Sequence, residues 1–552
     1  MQVVIPMSGF GERFRAAGYV VPKPLIAVEG KPIIAHVIDL FPGETDFIFV
    51  CNQEHLDTPG YRMAETLHAW CPTGRIAGIA PHRLGPVHAV LRMAGMLDPA
   101  RPVVVNYCDF TCLWDWRDFK QFVAETGCAG AIPAYRGFHP HSLGSTFYAY
   151  VREHEGWVTD IQEKQPFTGA PINEYASSGT YYFATAQIML DVFQQTVAEQ
   201  LQVNGEYYVS LVYKILLRHN LPVAVYRLQH FMQWGTPQDL ADYERWSDAF
   251  RQLSRPPAAP CTQDGMLLVP MAGLGKRFSD AGYALPKPLI PVSGRAMAVQ
   301  AAADLPVALQ TRFVIRQDLP NRDNVVVSLR DAFPAAALTT LEGVTDGQAR
   351  SCVLALNGPE TDAAAPLTIG TCDNGQIYDT ARLRALLNDP TCDVIVWVVR
   401  GHPEATRKPH MFGWIAADAS GHISGVSVKV PLTDPATDPV VTGTFTFKRA
   451  GDFLAAAGRM FARHGLINGE YYVDSCITDA LALGLQCRAF EIDHYLGWGT
   501  PDDLMTFEYW QSCFHQWPSH PYRLELDWHV PPAAVAGLAA HYALAAPPRP
   551  IT

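Results

Sequence analysis

The chain has 552 residues, 48% hydrophobic and 17% charged, with a formal net charge of −12. Such a composition is globular and long enough for two or three domains. The acidic balance excludes general nucleic-acid binding, which needs a basic face, but leaves local phosphate binding open. Twelve cysteines run from Cys51 to Cys513 without a C-x-x-C pair. They read as reduced, mostly buried thiols rather than zinc ligands. MQVVIPMSG enters a strand-like run with no signal-peptide pattern. No stretch of about 18 apolar residues occurs, so no membrane span is expected. The expected location is the cytoplasm.

In chain order, VVIP from Val3 reads as a buried strand and opens into G-x-G-x-R-F, with Gly9, Gly11 and Arg13. PKPL follows, with Lys23 between two prolines. Two glycines after a strand let backbone N–H groups approach an anion. Arg13 adds a potentially bidentate phosphate contact and Lys23 a point charge on a stiff segment. The dinucleotide fingerprint does not fit, because Phe14 stands where its third glycine belongs, and a Walker loop lacks its G-K-[ST]. PIIAHVIDLF and PVHAVLRMAGML read as helices, DFIFV and RPVVVNY as strands. Strands alternating with helices predict a mostly parallel sheet covered on both faces. Asp109 follows RPVVVNY, at the strand-end edge where ligands bind in such sheets. DIQEKQPF then carries Glu163 and Lys164, SSGTYYF carries Gly179, NGEYYV carries Glu206, and QWGTP follows at Gln233. A Pro/Ala-rich segment, 251–265, reads as a linker.

After it the pattern recurs 264 residues on, from Val3 and Leu267 through Asp109 and Asp373, Gly179 and Gly443, to the WGTP motifs at Trp234 and Trp498. The second set is Gly273, Gly275, Arg277, Lys287, Asp373, Gly443 and Glu470. A register held across both halves predicts two whole domains, 1–250 and 266–515, followed by a tail, 516–552, that has no counterpart in the first half. A lone G-x-G would be an ordinary strand–helix turn, but the whole signature occurs twice.

The motif GxGxRF…GY..PKPL resembles the sugar-phosphate nucleotidyltransferases, the NDP-sugar pyrophosphorylases and their relatives in capsule and lipopolysaccharide synthesis. The resemblance covers nearly all of both halves. It implies an α/β fold of two tandem Rossmann-like nucleotidyltransferase domains. The implied reaction is attack of a substrate phosphate on the α-phosphorus of an NTP, with magnesium assisting and pyrophosphate leaving. It makes Asp109 and Asp373 the magnesium carboxylates. It gives Lys164 and Lys429 the acceptor's phosphate, and Glu163 its sugar. Glu206 and Glu470 match an acceptor-hydroxyl contact, with a capped helix start the equally weighted alternative. Gly179 and Gly443 belong to the same acceptor side. Gln348, in Gly347-Gln348-Ala349, matches a base-reading loop whose counterpart in the first half is Gly85-Pro86-Val87-His88.

Three departures stand out. Val428 replaces the Glu163 carboxylate, which predicts a different acceptor for the second half or none. The halves differ at the base loop. Gln233 and Gly497 stand where many family members carry a second metal-binding Asp, leaving Asp239 and Asp503 as nearby acids and the choice open. The expected partners are an NTP and a phosphorylated small molecule, with a homo-oligomer allowed. The leading expectation is NMP transfer to a sugar 1-phosphate for surface polysaccharide by residues 1–250, with the second half open between a second active site and a degenerate nucleotide-binding copy. The alternative is a cytidylyltransferase acting on a phosphorylated alcohol or amide, its second half a regulatory or scaffolding nucleotide-binding module.

Overall fold

A computed structural model describes residues 1–144, 148–256, 259–543 and 550. The chain divides into two compact units. The first contains Met1–Trp246 and Gln516–His520; the second contains Ser247–His515 and Pro521–Tyr542.

The first unit is built on a ten-stranded sheet. Its first strand, Gln2–Met7, third from one edge, pairs in parallel with Asp46–Asn52 on one side and Val103–Asn106 on the other. Arg75–Ile79 continues the parallel set beyond Asp46–Asn52. Val3, Val4, Ile5, Ile48, Phe49, Val103 and Val104 are fully buried, as strands covered on both faces require. Because these strands run one way, the loops leaving Met7 and Asn106 emerge at one edge and carry Gly9–Gly11 and Asp109 there.

The rest of this sheet corrects the expectation of a mostly parallel one, because it is mixed. Val223–Leu228 pairs in parallel with Gly130–Tyr135. Thr180–Phe183 runs antiparallel between Val103–Asn106 and Gly130–Tyr135. Ala149–His154 and Trp157–Glu163 form an antiparallel hairpin. The reason is local: Glu155 and Gly156 both have positive φ, 52° and 86°. A two-residue turn of that type joins only antiparallel neighbours, whereas a parallel pair needs a long crossover.

A small antiparallel ladder, Phe110–Leu113 with His230–Gln233, lies beside the strand edge. It brings WGTP to Asp109, with the Trp234 amide donating to the Asp109 carbonyl at 2.8 Å. Residues 516–520 pack in this unit: the Trp517 ring lies 5.4 Å from His36 and 6.1 Å from Trp234.

The second unit has a nine-stranded sheet, also mixed. Thr262–Pro270 pairs in parallel with Val307–Arg316 and Leu367–Ile369. Val440–Phe447 runs antiparallel between Leu367–Ile369 and Val394–Val399. Its small ladder joins Asn374–Ile377 to His494–Gly497, and the Trp498 amide donates to the Asp373 carbonyl at 2.9 Å.

The predicted linker is narrower than 251–265. The helix Pro237–Leu253 runs into it from one side and the strand Thr262–Pro270 begins inside it from the other; residues 257 and 258 lie outside the described residues. The tail is not a loose appendage over its described part. In the second unit the Tyr522 hydroxyl donates to Asp527 at 2.6 Å, and His529 meets Asp304 at 2.7 Å with both side chains fully buried. Its Ala/Pro-rich end, 544–549 and 551–552, lies outside the described residues. Among the described residues no helix is long and apolar enough to cross a membrane.

Candidate nucleotide-binding clefts

In the first unit the loop after Gln2–Met7 closes into the short helix Glu12–Ala16 through Gly11, whose φ of 63° is left-handed. A Cβ there would find 4.0 Å of clearance to Lys23, so the backbone conformation alone asks for glycine. Gly9 has no such φ and open space around it. Lys23 sits at the start of a 3₁₀ turn, Lys23–Leu25, fixed by Pro22 and Pro24. Its Nζ donates to Asp109 Oδ2 at 2.6 Å and to the Gly235 carbonyl at 3.3 Å. Burial pulls the Lys23 ammonium down, but Asp109, Cys108 and Asp239 together outweigh it, and its pKa stands above the ordinary lysine value. Burial and the Asp109 charge push the neighbouring Cys108 thiol up to about 12, so it stays neutral.

These residues line one cleft of about 470 Å³ with Gly9, Gly11, Arg13, Gly85, Glu206, Tyr107, Tyr208, His82 and Arg83. Glu163, Lys164 and Gly179 are not on its lining and reach it through tyrosines. Lys164 Nζ donates to the Tyr208 hydroxyl at 2.6 Å. Gly179 has φ 95°, accepts from the Tyr107 amide at 3.0 Å, and lies so close that a Cβ would stand 3.0 Å from the Tyr107 ring. Glu163 is half-buried, and burial lifts its carboxyl to about 7 although Ser210 donates to it at 2.5 Å. Glu206 does not cap a helix. Asn204 and Gly205 make a tight turn that bridges Val203 to Glu206, and the helix Val209–Arg218 starts three residues later with Tyr208 as its cap residue.

Gly85, φ 85°, precedes the helix Pro86–Leu91. A Cβ there would lie 2.9 Å from the Tyr207 backbone, so two loops of the cleft meet at a position only glycine can fill.

The second unit holds a cleft of about 490 Å³ lined by Gly273, Gly275, Arg277, Lys287, Gly347, Gln348, Asp373, Glu470 and Tyr472. Lys287 Nζ donates to Asp373 Oδ2 at 2.5 Å and to the Gly499 carbonyl at 3.1 Å. Gly275 has φ 64°, and Gly347, φ 130°, would place a Cβ 2.4 Å from the Tyr471 amide nitrogen. Lys429 lies with its ammonium 5.4 Å from the centre of the Tyr472 ring. Gly443 backs Thr371, a lining residue, at 2.6 Å from an added Cβ to its methyl.

Beside the lysine of each glycine loop stands a partly exposed aspartate, Asp109 or Asp373, with Glu206 or Glu470 elsewhere on the same lining. A magnesium ion fits such a donor set, since it is held by one or two carboxylates and completed by phosphate oxygens and water. Asp239 is committed elsewhere. It accepts from the Thr236 amide and hydroxyl at 2.9 and 2.8 Å, from Gln233 at 2.7 Å, and lies 3.3 Å from His141. Asp503 accepts from the Thr500 amide and hydroxyl at 3.0 and 2.7 Å. Each is the third residue of its own helix, Pro237–Leu253 or Pro501–Gln516, and closes a capping box with Thr236 or Thr500, whose hydroxyl accepts from the aspartate's amide at 3.1 or 3.2 Å. Tyr107, Tyr208, His82 and Arg83 escaped the reading of the sequence because single aromatic and basic residues in loops have no period or spacing to mark them. The alternation of cleft-facing loops could have suggested them only after the fold was known.

Residues 2–246 match the family model described as Nucleotidyl transferase. The chain is 27% identical over 252 residues to the bifunctional protein GlmU of Burkholderia orbicola (strain MC0-3), covering 44% of this chain and 51% of that one. It is 26% identical over 253 residues to the bifunctional protein GlmU of Paraburkholderia phymatum, with the same two coverages. The chain thus spans about half the length of these curated relatives. Among solved structures, the nucleoside-diphosphate-sugar pyrophosphorylase of Vibrio cholerae RC9 aligns with a TM-score of 0.37 and 21% identity over 44% of this chain and 98% of that one. The likeness to the Nucleotidyl transferase family model thus lies in residues 2–246.

Proposed function

We propose that the first unit transfers a nucleotidyl group from an NTP to a phosphorylated small molecule, a sugar 1-phosphate in the leading reading, and releases pyrophosphate. The observation that carries this is the gathering of Lys23, Asp109, Arg13 and the glycine loop around one cleft at the strand edge. The family match over residues 2–246 supports it.

Arg13 and Lys23 bind and orient the triphosphate and stabilise the charge that develops on it, an electrostatic role. Lys164 anchors the incoming phosphate, so catalysis is chiefly positioning. An oxygen of the acceptor phosphate forms the new bond to the α-phosphorus, and the bond from that phosphorus to the bridging oxygen breaks as pyrophosphate departs. The nucleophile is already ionised at neutral pH, so no general base is required. Asp109 would hold a magnesium ion, which when bound neutralises phosphate oxygens. The second cleft presents Arg277, Lys287, Asp373 and Gln348 in the same setting and is read as a second site of the same chemistry. The product's destination in surface polysaccharide rests on the motif resemblance alone.

The test is pyrophosphate release by the full chain with each NTP against sugar 1-phosphates and non-sugar phosphates. Lys23→Ala and Lys287→Ala are each expected to remove one cleft's turnover, and the double variant all of it. Turnover retained in the double variant overturns the proposal. Activity confined to CTP with phosphorylated alcohols or amides selects the cytidylyl alternative.

A further inference from the structure

Three positions around the acceptor-side lysine change together between the two units. In the first, Ala149 pairs with Glu163 across the hairpin, and Ser210, the second residue of the helix Val209–Arg218, donates to the Glu163 carboxylate at 2.5 Å. In the second, the paired residues are Gly413 and Val428, and the second residue of the helix Val473–Ala482 is Asp474. A methyl group has left one strand, a carboxylate has left the other, and a carboxylate has appeared on the helix.

The exchange is sterically linked. A Cβ at Gly413 would lie 2.2 Å from Asp474 Oδ2, so the alanine of the first unit could not face this aspartate without a shift. The lysines hold matching places. Lys164 and Lys429 both adopt left-handed backbone, φ 60° and 66°. Their amides donate to the carbonyls of Tyr148 and Phe412 at 2.8 and 2.9 Å. Each ammonium lies over a tyrosine, Tyr208 or Tyr472. Taken alone, Val428 looks like a lost function. Taken with Gly413 and Asp474 it is a transfer of the carboxylate from strand to helix beside the same lysine. A half-buried carboxylate costs free energy unless it is paired or hydrogen-bonded; burial raises the Asp474 carboxyl, with its backbone hydrogen bond and the Lys429 charge opposing.

We infer that the acceptor side of the second unit, which adjoins the cleft through the lining residue Tyr472, binds a hydroxyl-bearing phosphomonoester, with Lys429 on its phosphate and Asp474 on a hydroxyl, in the role proposed for Glu163 in the first. The inference rests on the acceptor side assigned under the proposed function. The carboxylate now approaches from the helix on a stem one methylene shorter, so the two clefts select different members of this class.

The test uses the full chain carrying Glu163→Gln and Lys164→Ala, which silences the acceptor side of the first unit. It is titrated calorimetrically with inorganic phosphate, glucose 1-phosphate and glycerol 1-phosphate. One of the two hydroxylated probes is expected to bind about tenfold more tightly than inorganic phosphate, as a charge-assisted hydrogen bond provides. Which probe wins distinguishes a sugar ring from an acyclic polyol. Adding Asp474→Asn is expected to abolish that preference and leave inorganic phosphate within about twofold, whereas Lys429→Ala weakens all three. The triple exchange Gly413→Ala, Val428→Glu and Asp474→Ser rebuilds the first-unit arrangement and is expected to restore a preference, which separates lost recognition from misfolding. Equal affinity for the three probes, or a preference unchanged by Asp474→Asn, overturns the inference. These are binding measurements, so absence of nucleotidyl transfer in the pyrophosphate assay would fail the proposed function without deciding this result.

Discussion

The two clefts agree where they would meet phosphate and part where they would read the rest of a ligand. Lys23 with Asp109 and Lys287 with Asp373 are near-superposable pairs, 2.6 and 2.5 Å, each with the same carbonyl partner, Gly235 or Gly499. Away from that pair, Pro86 in the first unit corresponds to Gln348 in the second as the first helical residue after the glycine, and Glu163 with Ser210 becomes Val428 with Asp474. The surroundings of the capping aspartate also diverge. Gln233 and His141 support Asp239, and its carboxyl falls to about 2 despite burial. Gly497 and Ala405 stand at the corresponding places, and burial leaves Asp503 raised. Under the proposed function, charge neutralisation of phosphate would be one problem with one geometry, which accounts for the shared pair. Recognition of a base or an acceptor has many solutions, so it drifts.

The largest effect expected is on the shared pair. Lys23→Ala should cost that cleft about 10²–10³-fold in turnover, the scale for removing one charge-stabilising group. Lys287→Ala should do the same only if the second cleft also turns over, so pyrophosphate release from the two single variants measures how alike the clefts are.

Next come the glycines that both clefts share. Gly347→Ala puts a methyl 2.4 Å from the Tyr471 amide nitrogen at φ 130°, against 2.9 Å and φ 85° for Gly85→Ala. Chemical denaturation should show losses of about 3 kcal/mol, the larger for Gly347→Ala. Equal and negligible losses would mean the loops relax freely.

The aspartate caps give a smaller, pH-dependent contrast. The Asp239 carboxyl is lowered in the folded chain, so its contribution is present above the unfolded value near 4 and is lost as pH falls through about 2. Asp239→Asn should therefore cost about 2 kcal/mol at pH 7, progressively less below pH 4, and nothing well below pH 2. Asp503 is shifted the opposite way, so Asp503→Asn should cost less at neutral pH, and urea midpoints at pH 7 and pH 3 check the sign.

The smallest effect is in the acceptor side. Glu163 titrates at about 7 because burial disfavours its charge. As pH rises through that value the carboxylate forms and can accept hydroxyl hydrogen bonds. The acceptor KM of the first cleft should then fall severalfold beyond the change that Glu163→Gln retains from the phosphate's own titration. Superimposable pH profiles of wild type and Glu163→Gln would remove Glu163 from acceptor binding.

Much of the architecture was legible in the chain. The 264-residue register located both glycine loops, both lysines and both aspartates, because a turn that depends on left-handed backbone and a stiff proline-flanked segment needs fixed residue types at fixed spacing. The antiparallel half of each sheet was not read, although HEGW at 154–157 carries a two-residue turn, since strand direction depends on connections as well as on apolar runs. Glu206 was undecided between ligand contact and cap until the helix start at Val209 settled that it is no cap.

By itself, then, the sequence determined where the glycine loops, the proline-flanked lysines and the strand-end aspartates lie, because glycine, proline and charge act through local backbone geometry. Only the tertiary structure decided what stands around them. That Asp474 takes up space vacated at Gly413, beside Lys429, is a relation among three distant segments. Such packing leaves no trace in any one of them, since a half-buried carboxylate is placed by neighbours that the fold, not the order of residues, brings together.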